Sequence, residues 1–153
     1  MGNLKQRLIK AGRDFNYAEG VKVLNNTTSA IPAHTIVCVQ GLDGPYIKVE
    51  KADEATATKA YGRLLVTKHD LPESGYGVCL PWKVISGLSN AAVGGAAGGI
   101  GTRVYLDGGG ANDGKWSSVA GGAITRVVGV VLAQGTGAGT TDGAILFCGE
   151  GNS

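Results

Sequence analysis

Short apolar, β-branched runs, most of them closed by glycine, Asn or Asp, organise this chain. The clearest lie at its end: Gly101-Thr102-Arg103-Val104-Tyr105-Leu106-Asp107-Gly108-Gly109-Gly110, then Gly114-Lys115-Trp116-Ser117-Ser118-Val119, then Arg126-Val127-Val128-Gly129-Val130-Val131-Leu132-Ala133-Gln134-Gly135, then Gly143-Ala144-Ile145-Leu146-Phe147-Cys148-Gly149. Runs of this length and composition between turn residues predict successive strands. Earlier runs follow the same grammar. Val21-Lys22-Val23-Leu24 alternates, Ile36-Val37-Cys38-Val39 has the form of a buried strand, and Tyr46-Ile47-Lys48-Val49-Glu50 half-alternates. Residues 61–67 are a further strand, and 76–85 a strand pair or one bent strand. Pro81 inside the latter requires an edge or a bulge, because proline cannot donate to a ladder. Turn clusters separate these runs at 25–29, 41–45 and 70–75, and residues 51–58 suit a short helical turn or a loop.

The predicted class is all-β: a small antiparallel β-barrel or sandwich-like domain with an N-terminal arm and Gly-rich loops. Composition supports it. The 153 residues contain 27 glycines without a collagen period, and tight turns need that many because glycine enters φ > 0 cheaply. The run Gly94-Gly95-Ala96-Ala97-Gly98-Gly99, within a Gly/Ala stretch at 87–101, is too glycine-rich for a stable helix and is expected to be a mobile or partner-ordered loop.

Residues 1–17 stand apart from the β-rich domain expected over 18–153. Leu4, Leu8 and Ala11 have helical spacing, but a helix this short is marginal alone. Lys5, Arg7, Lys10 and Arg13 precede the first acid, and Phe15 and Tyr17 follow. An arm of this kind suits ordering on a neighbouring subunit. Leu4, Leu8, Phe15 and Tyr17 would supply apolar anchorage, and the four basic residues would surround it. Net charge is only +2, too small for nucleic-acid binding by bulk electrostatics, and only 17% of residues are charged, which suits a surface that packs against others.

Candidate chemistry is thin. Cys38, Cys79 and Cys148 are odd in number and sit in apolar runs, as buried thiols of a reducing compartment do. No Cys or His pair has metal-ligand spacing, so no metal is expected. The glycine runs lack the Gly-Lys-Ser/Thr ending of a phosphate loop and the last glycine of the dinucleotide fingerprint, so no cofactor is expected. Asp107, Asn112 and Asp113 lack the alternating ligands of a calcium loop, and His34 and His69 mark no nucleophile–base pair. The reading is therefore not an enzyme. Asn25-Asn26-Thr27 and Asn26-Thr27-Thr28 match the glycan-acceptor pattern. Residues 1–10 have no apolar core of secretion-signal length, and no run reaches a membrane span, so synthesis in a cytoplasm with no membrane partner is expected. Trp82 and Trp116 are core or interface anchors.

The order of features resembles the decoration (head cement) proteins of tailed bacteriophages. The resemblance rests on Glu19-Gly20-Val21-Lys22-Val23-Leu24-Asn25-Asn26-Thr27, on Ile31-Pro32-Ala33-His34-Thr35-Ile36-Val37 (similar to an I-P-A-G-T-x-V pattern), and on Lys51-Ala52-Asp53 before Ala60-Tyr61-Gly62-Arg63-Leu64-Leu65-Val66. It continues through Ser74-Gly75-Tyr76-Gly77-Val78, Gly101-Thr102-Arg103-Val104-Tyr105-Leu106 and Val128-Gly129-Val130-Val131-Leu132. It implies a β-rich domain on the outer surface of a phage head, bound where major capsid proteins meet, commonly as a trimer, and stabilising the shell. It carries no catalytic residues. The rival expectation is a receptor- or glycan-binding β-module using Tyr76, Trp82, Tyr105 and Trp116 in a groove.

Overall fold

The computed structural model describes residues 20–88, 99–108, 113–118, 124–134 and 141–149. The arm, with Leu4, Lys5, Arg7, Leu8, Lys10, Arg13, Phe15 and Tyr17, lies outside the described residues, as do residues 89–98 of the Gly/Ala stretch. The fold is nearly all β, with a closed five-stranded barrel and a second, curled sheet.

Strands β1 (Val21–Asn25), β2 (Ile36–Asp43), β3 (Tyr46–Lys51), β4 (Leu64–Thr67) and β5 (Tyr76–Leu80) build the barrel in the order β1-β3-β2-β4-β5, and β5 closes on β1. Every pairing is antiparallel except β1 with β3, which run parallel with Val23 opposite Ile47. The β2–β3 hairpin turns at Gly44-Pro45. Gly44 has φ +57° and proline fixes the next φ near −65°, which is the type II′ turn that matches strand twist. A single helical turn, α1 (Ala57–Ala60), follows β3, so the polar, Ala-rich stretch ends in helix rather than loop. The strand expected from Tyr61 begins only at Leu64.

The second sheet uses β6 (Trp82–Leu88), β7 (Arg103–Leu106), β8 (Trp116–Ser117), β9 (Val127–Ala133) and β10 (Gly143–Cys148), in the order β6-β10-β9-β7-β8. The apolar stretch at 76–85 is thus a strand pair. Pro81 is the corner at which the chain leaves the barrel and enters the second sheet, a place where its missing N–H is harmless.

Two cores result. Val23, Ile31, Val37, Val49, Leu65, Leu71 and Cys79 fill the barrel. Ile36, Cys38, Leu64, Val66 and Leu80 point out of it, against Ile85, Val104, Leu106, Val131, Ile145 and Phe147 of the second sheet. β2 and β4 are therefore buried on both faces, which is why Ile36-Val37-Cys38 and Leu64-Leu65-Val66 read as unbroken apolar runs. Trp116 packs against the shared core, while Trp82 stands exposed.

The barrel contains a repeated turn. Ile31-Pro32-Ala33-His34 and Leu71-Pro72-Glu73-Ser74 face each other, with Ile31 and Leu71 exchanging both backbone hydrogen bonds at 2.9 and 2.8 Å. His34 N donates to Thr67 O, and Ser74 N donates to Thr27 O, each at 3.0 Å. The fourth residue is left-handed in both, φ +59° at His34 and +49° at Ser74. That conformation costs an L-residue about 1 kcal/mol or more, whereas glycine adopts it freely. Ser74→Gly is therefore expected to raise the melting temperature by a few degrees. A fall on thermal unfolding would show that the weak Ser74 Oγ bond to Thr27 O (3.4 Å) outweighs the strain. Beside these turns Asn25 is buried, and its side chain is spent on Ser29 O, Pro72 O and Thr27, so only Asn26 of the two acceptor patterns is accessible.

One charge is buried where the two lobes meet. Arg126, 3% exposed, precedes β9 and donates Nη1 to Ala60 O (3.1 Å) and Nη2 to Gly62 O (2.9 Å) and Gly149 O (3.1 Å). It ties the second sheet to the end of α1, whose last carbonyls have no helical partner, and to the chain leaving β10. Gly149 itself admits no side chain, since a Cβ there would collide with Leu64 O.

Candidate functional site

The face of the second sheet turned away from the barrel is the most distinctive surface among the described residues. Cross-strand register fixes its members, because directly opposed residues share a face. One row runs Val84–Leu146–Val130–Arg103, and the next begins Trp82–Cys148. Two residues along β9 from Val130, Leu132 stands outside this row, at the register shift between the Val131 and Ala133 pairs, and Tyr105 stands opposite Val127. Trp82 is 49% exposed, Val84 51% and Leu132 39%. A solvated sheet face should carry polar residues at alternate positions. Here the outward positions of β9 and β10 are Val130, Leu132, Ala144, Leu146 and Cys148. Such a patch is a candidate contact surface.

The border of this face is basic. Arg103 closes one end of the Val84 row. At the other, Lys83 turns from β6 toward the barrel, where Nζ lies 3.1 Å from His34 Nδ1 and 3.4 Å from Lys68 O. Partial burial and the Lys83 charge lower the His34 pKa against a smaller opposing effect of Asp70, and burial and Lys68 lower that of Lys83. Asp70 Oδ1 is occupied by Ala33 N at 2.8 Å.

The other sequence candidates are dispersed. Tyr76 lies on the barrel against Tyr46, ring centroids 4.4 Å apart. Trp82 borders the outer face, Tyr105 lies on it three strands away, and Trp116 turns to the core. These four aromatics therefore line no common groove. His69 Nδ1 meets Asp70 O, distant in role from any thiol. Asp107 Oδ1 accepts from Gly108 N within its own turn, and Asn112 lies outside the described residues. Among the described residues no group of His, Cys, Asp and Glu is placed to hold a metal ion.

The three cysteines are free, two of them buried. Burial pushes Cys79 from 9.0 up to about 12 and also raises Cys38. Cys148, on the outer face, should react with a thiol reagent in the folded protein, and Cys38 and Cys79 only after unfolding. Timed labelling followed by peptide mapping checks this. Because folding disfavours the Cys79 thiolate, its contribution to stability is intact below about pH 9. It is lost between about 9 and 12 as the unfolded chain ionises first. Cys79→Ala should flatten that alkaline loss in urea titrations at pH 8 and 10.

Sequence reasoning named the arm, and not this sheet face, as a candidate contact surface, although a signal for the face was present. Val127-Val128-Gly129-Val130-Val131-Leu132 and Ala144-Ile145-Leu146-Phe147-Cys148 lack polar alternation, and strands in an antiparallel sheet that lack it are apolar on both sides. Comparison of the chain with protein-family models, with curated proteins and with solved structures found no match.

Proposed function

We propose that the protein is a structural virion component, a decoration protein on the outer surface of a tailed-phage head. It binds at junctions between major capsid proteins and stabilises the shell. The observation that carries this reading is the apolar outward face of the second sheet, held on a doubly cored body. The order of motifs that resembles the decoration proteins supports the choice of partner.

The size of the face suits a repeating lattice. With strands about 4.8 Å apart and a rise of about 3.3 Å per residue, the four longer strands present on the order of 400 Å². Covering it removes about 800 Å² in total, below the roughly 1,000 Å² of a stable pairwise complex. A single contact of that size is weak. Association as a trimer would multiply it, since linked contacts on a fixed lattice gain effective concentration. Covering it stabilises the bound state mainly through Trp82, Val84 and Leu132, at about 25 cal/mol per Å² of apolar area.

The arm is the second attachment. Leu4, Leu8, Phe15 and Tyr17 supply apolar anchors, and Lys5, Arg7, Lys10 and Arg13 meet acidic capsid surface. Deleting residues 2–15 should leave thermal unfolding unchanged and weaken head occupancy roughly tenfold, the loss of one of two linked contacts. Equal occupancy of heads by the truncated and full chains, measured by cosedimentation, would remove the arm from the account. No catalysis, cofactor, metal, nucleic acid or membrane enters this role. A glycan-array screen of the purified protein addresses the receptor-binding alternative.

A further inference from the structure

We propose that His34, Lys68 and Lys83 form an acceptor for carboxylate side chains of the partner protein, at the β6 rim of the apolar face. The docked surface is therefore apolar at its centre and acidic at this edge.

Three observations meet here. The first is an unusual contact: two cationic-type side chains, Lys83 and His34, stand 3.1 Å apart on different elements. The ammonium can only donate, so His34 Nδ1 accepts and the imidazole is neutral with its proton on Nε2. A second ammonium proton points to Lys68 O. The third proton of Lys83, the Nε2–H of His34 and the Lys68 ammonium are then the donors available to an incoming group.

The second observation is charge. Burial and then the neighbouring Lys68 charge lower the Lys83 pKa, and neither lysine forms an ion pair among the described residues. Asp70 is the one acid acting on His34, and it is engaged by the Ala33 amide. The cluster keeps a net positive charge that an external carboxylate neutralises.

The third is strain. His34 holds φ +59°, a conformation that glycine would adopt at no cost. The equivalent position in the facing turn carries Ser74. Both turns hold this residue left-handed, and at position 34 the side chain kept there is an imidazole rather than glycine, which calls for an account. The imidazole's place against Lys83 supplies one, because it bridges the barrel to β6 beside Trp82. Partly exposed charges of this kind set orientation and encounter more than affinity.

The proposal rests on the outer face being a protein contact, but its test does not need the head. The full chain is titrated with hexaglutamate, hexaglutamine or inorganic phosphate while the His34 and His69 Cε1–H resonances are followed by NMR across pH. Hexaglutamate is expected to shift His34 saturably and to raise its pKa, leaving His69 in place. Hexaglutamine and equimolar phosphate should do neither. K68Q/K83Q should weaken the hexaglutamate response about fivefold, the loss of two exposed charge contacts. An unresponsive His34 at millimolar peptide overturns the acceptor site, as does an equal response in K68Q/K83Q. An equal response to phosphate replaces it with a small-anion site. If His34 is unresponsive but wild-type protein still binds heads, the acceptor site falls and the capsid reading stands. If His34 responds and heads are not bound, the acceptor site stands and the capsid reading falls.

Discussion

Arg126→Ala is expected to lower the unfolding free energy by about 3 kcal/mol, the largest loss among single changes to polar residues here. The arithmetic is local. Truncation strands the carbonyls of Ala60 and Gly149 in a buried site and bares that of Gly62 in a partly buried one, and each buried orphaned group costs about 1–3 kcal/mol. Against this stands relief of a buried charge that has no carboxylate partner among the described residues and whose pKa burial already lowers. The Nε has no hydrogen-bond partner among the described residues, so its removal costs nothing. Arg126→Met separates the two effects. It fills the volume and removes the charge, yet leaves the three carbonyls bare, and should still lose about 2 kcal/mol. Arg126→Lys keeps the charge but loses the planar fork that spans three acceptors, and should fall between wild type and Met. Urea midpoints at constant m-value read all three. A methionine variant as stable as wild type would mean that solvent reaches those carbonyls and that the clamp contributes little.

The second large effect concerns binding. Trp82→Ala with Val84→Ser is expected to reduce head occupancy about thirtyfold, the loss of an exposed aromatic anchor worth about 2 kcal/mol. Both side chains are half exposed, so unfolding should shift by no more than about 0.5 kcal/mol. The contrast that gives the experiment its meaning is Leu42→Ala with Tyr76→Ala. These residues are exposed more than Trp82 and Val84, 70% and 56%, but they lie on the barrel. Loss of apolar surface in general would weaken both pairs alike. A contact confined to the second sheet weakens only the first.

Much of the fold was legible because burial leaves a mark on composition. Two-sided burial appears as the unbroken runs in β2 and β4, and the corner at Pro81 as a proline inside an apolar stretch. The partition into a barrel and a separate sheet was not legible. It depends on β5 reaching back to β1 and β3 lying parallel to β1, pairings between distant segments whose local patterns allow other partners. Arg126 was hidden for a related reason: a basic residue before a strand reads as a solvated edge, and only the arrival of Ala60, Gly62 and Gly149 makes it a clamp. The arm drew attention through its charge, while the outer face, written in plain valine and leucine, resembled core. His34 stands two residues before the apolar run that forms β2, but neither its left-handed backbone nor its approach to Lys83 follows from the sequence around it.

The central claim is that this chain decorates a phage head through the outer face of its second sheet. Cosedimentation of the purified protein with undecorated heads, followed by cryo-electron microscopy, tests it most directly. The account predicts ordered density at fixed lattice positions, with Trp82, Val84 and Leu132 against the major capsid protein and the barrel, apart from His34 and Lys68 beside β6, turned to solvent. Absence of density at saturating protein would contradict the function, and density with β6, β9 and β10 facing outward would contradict the site.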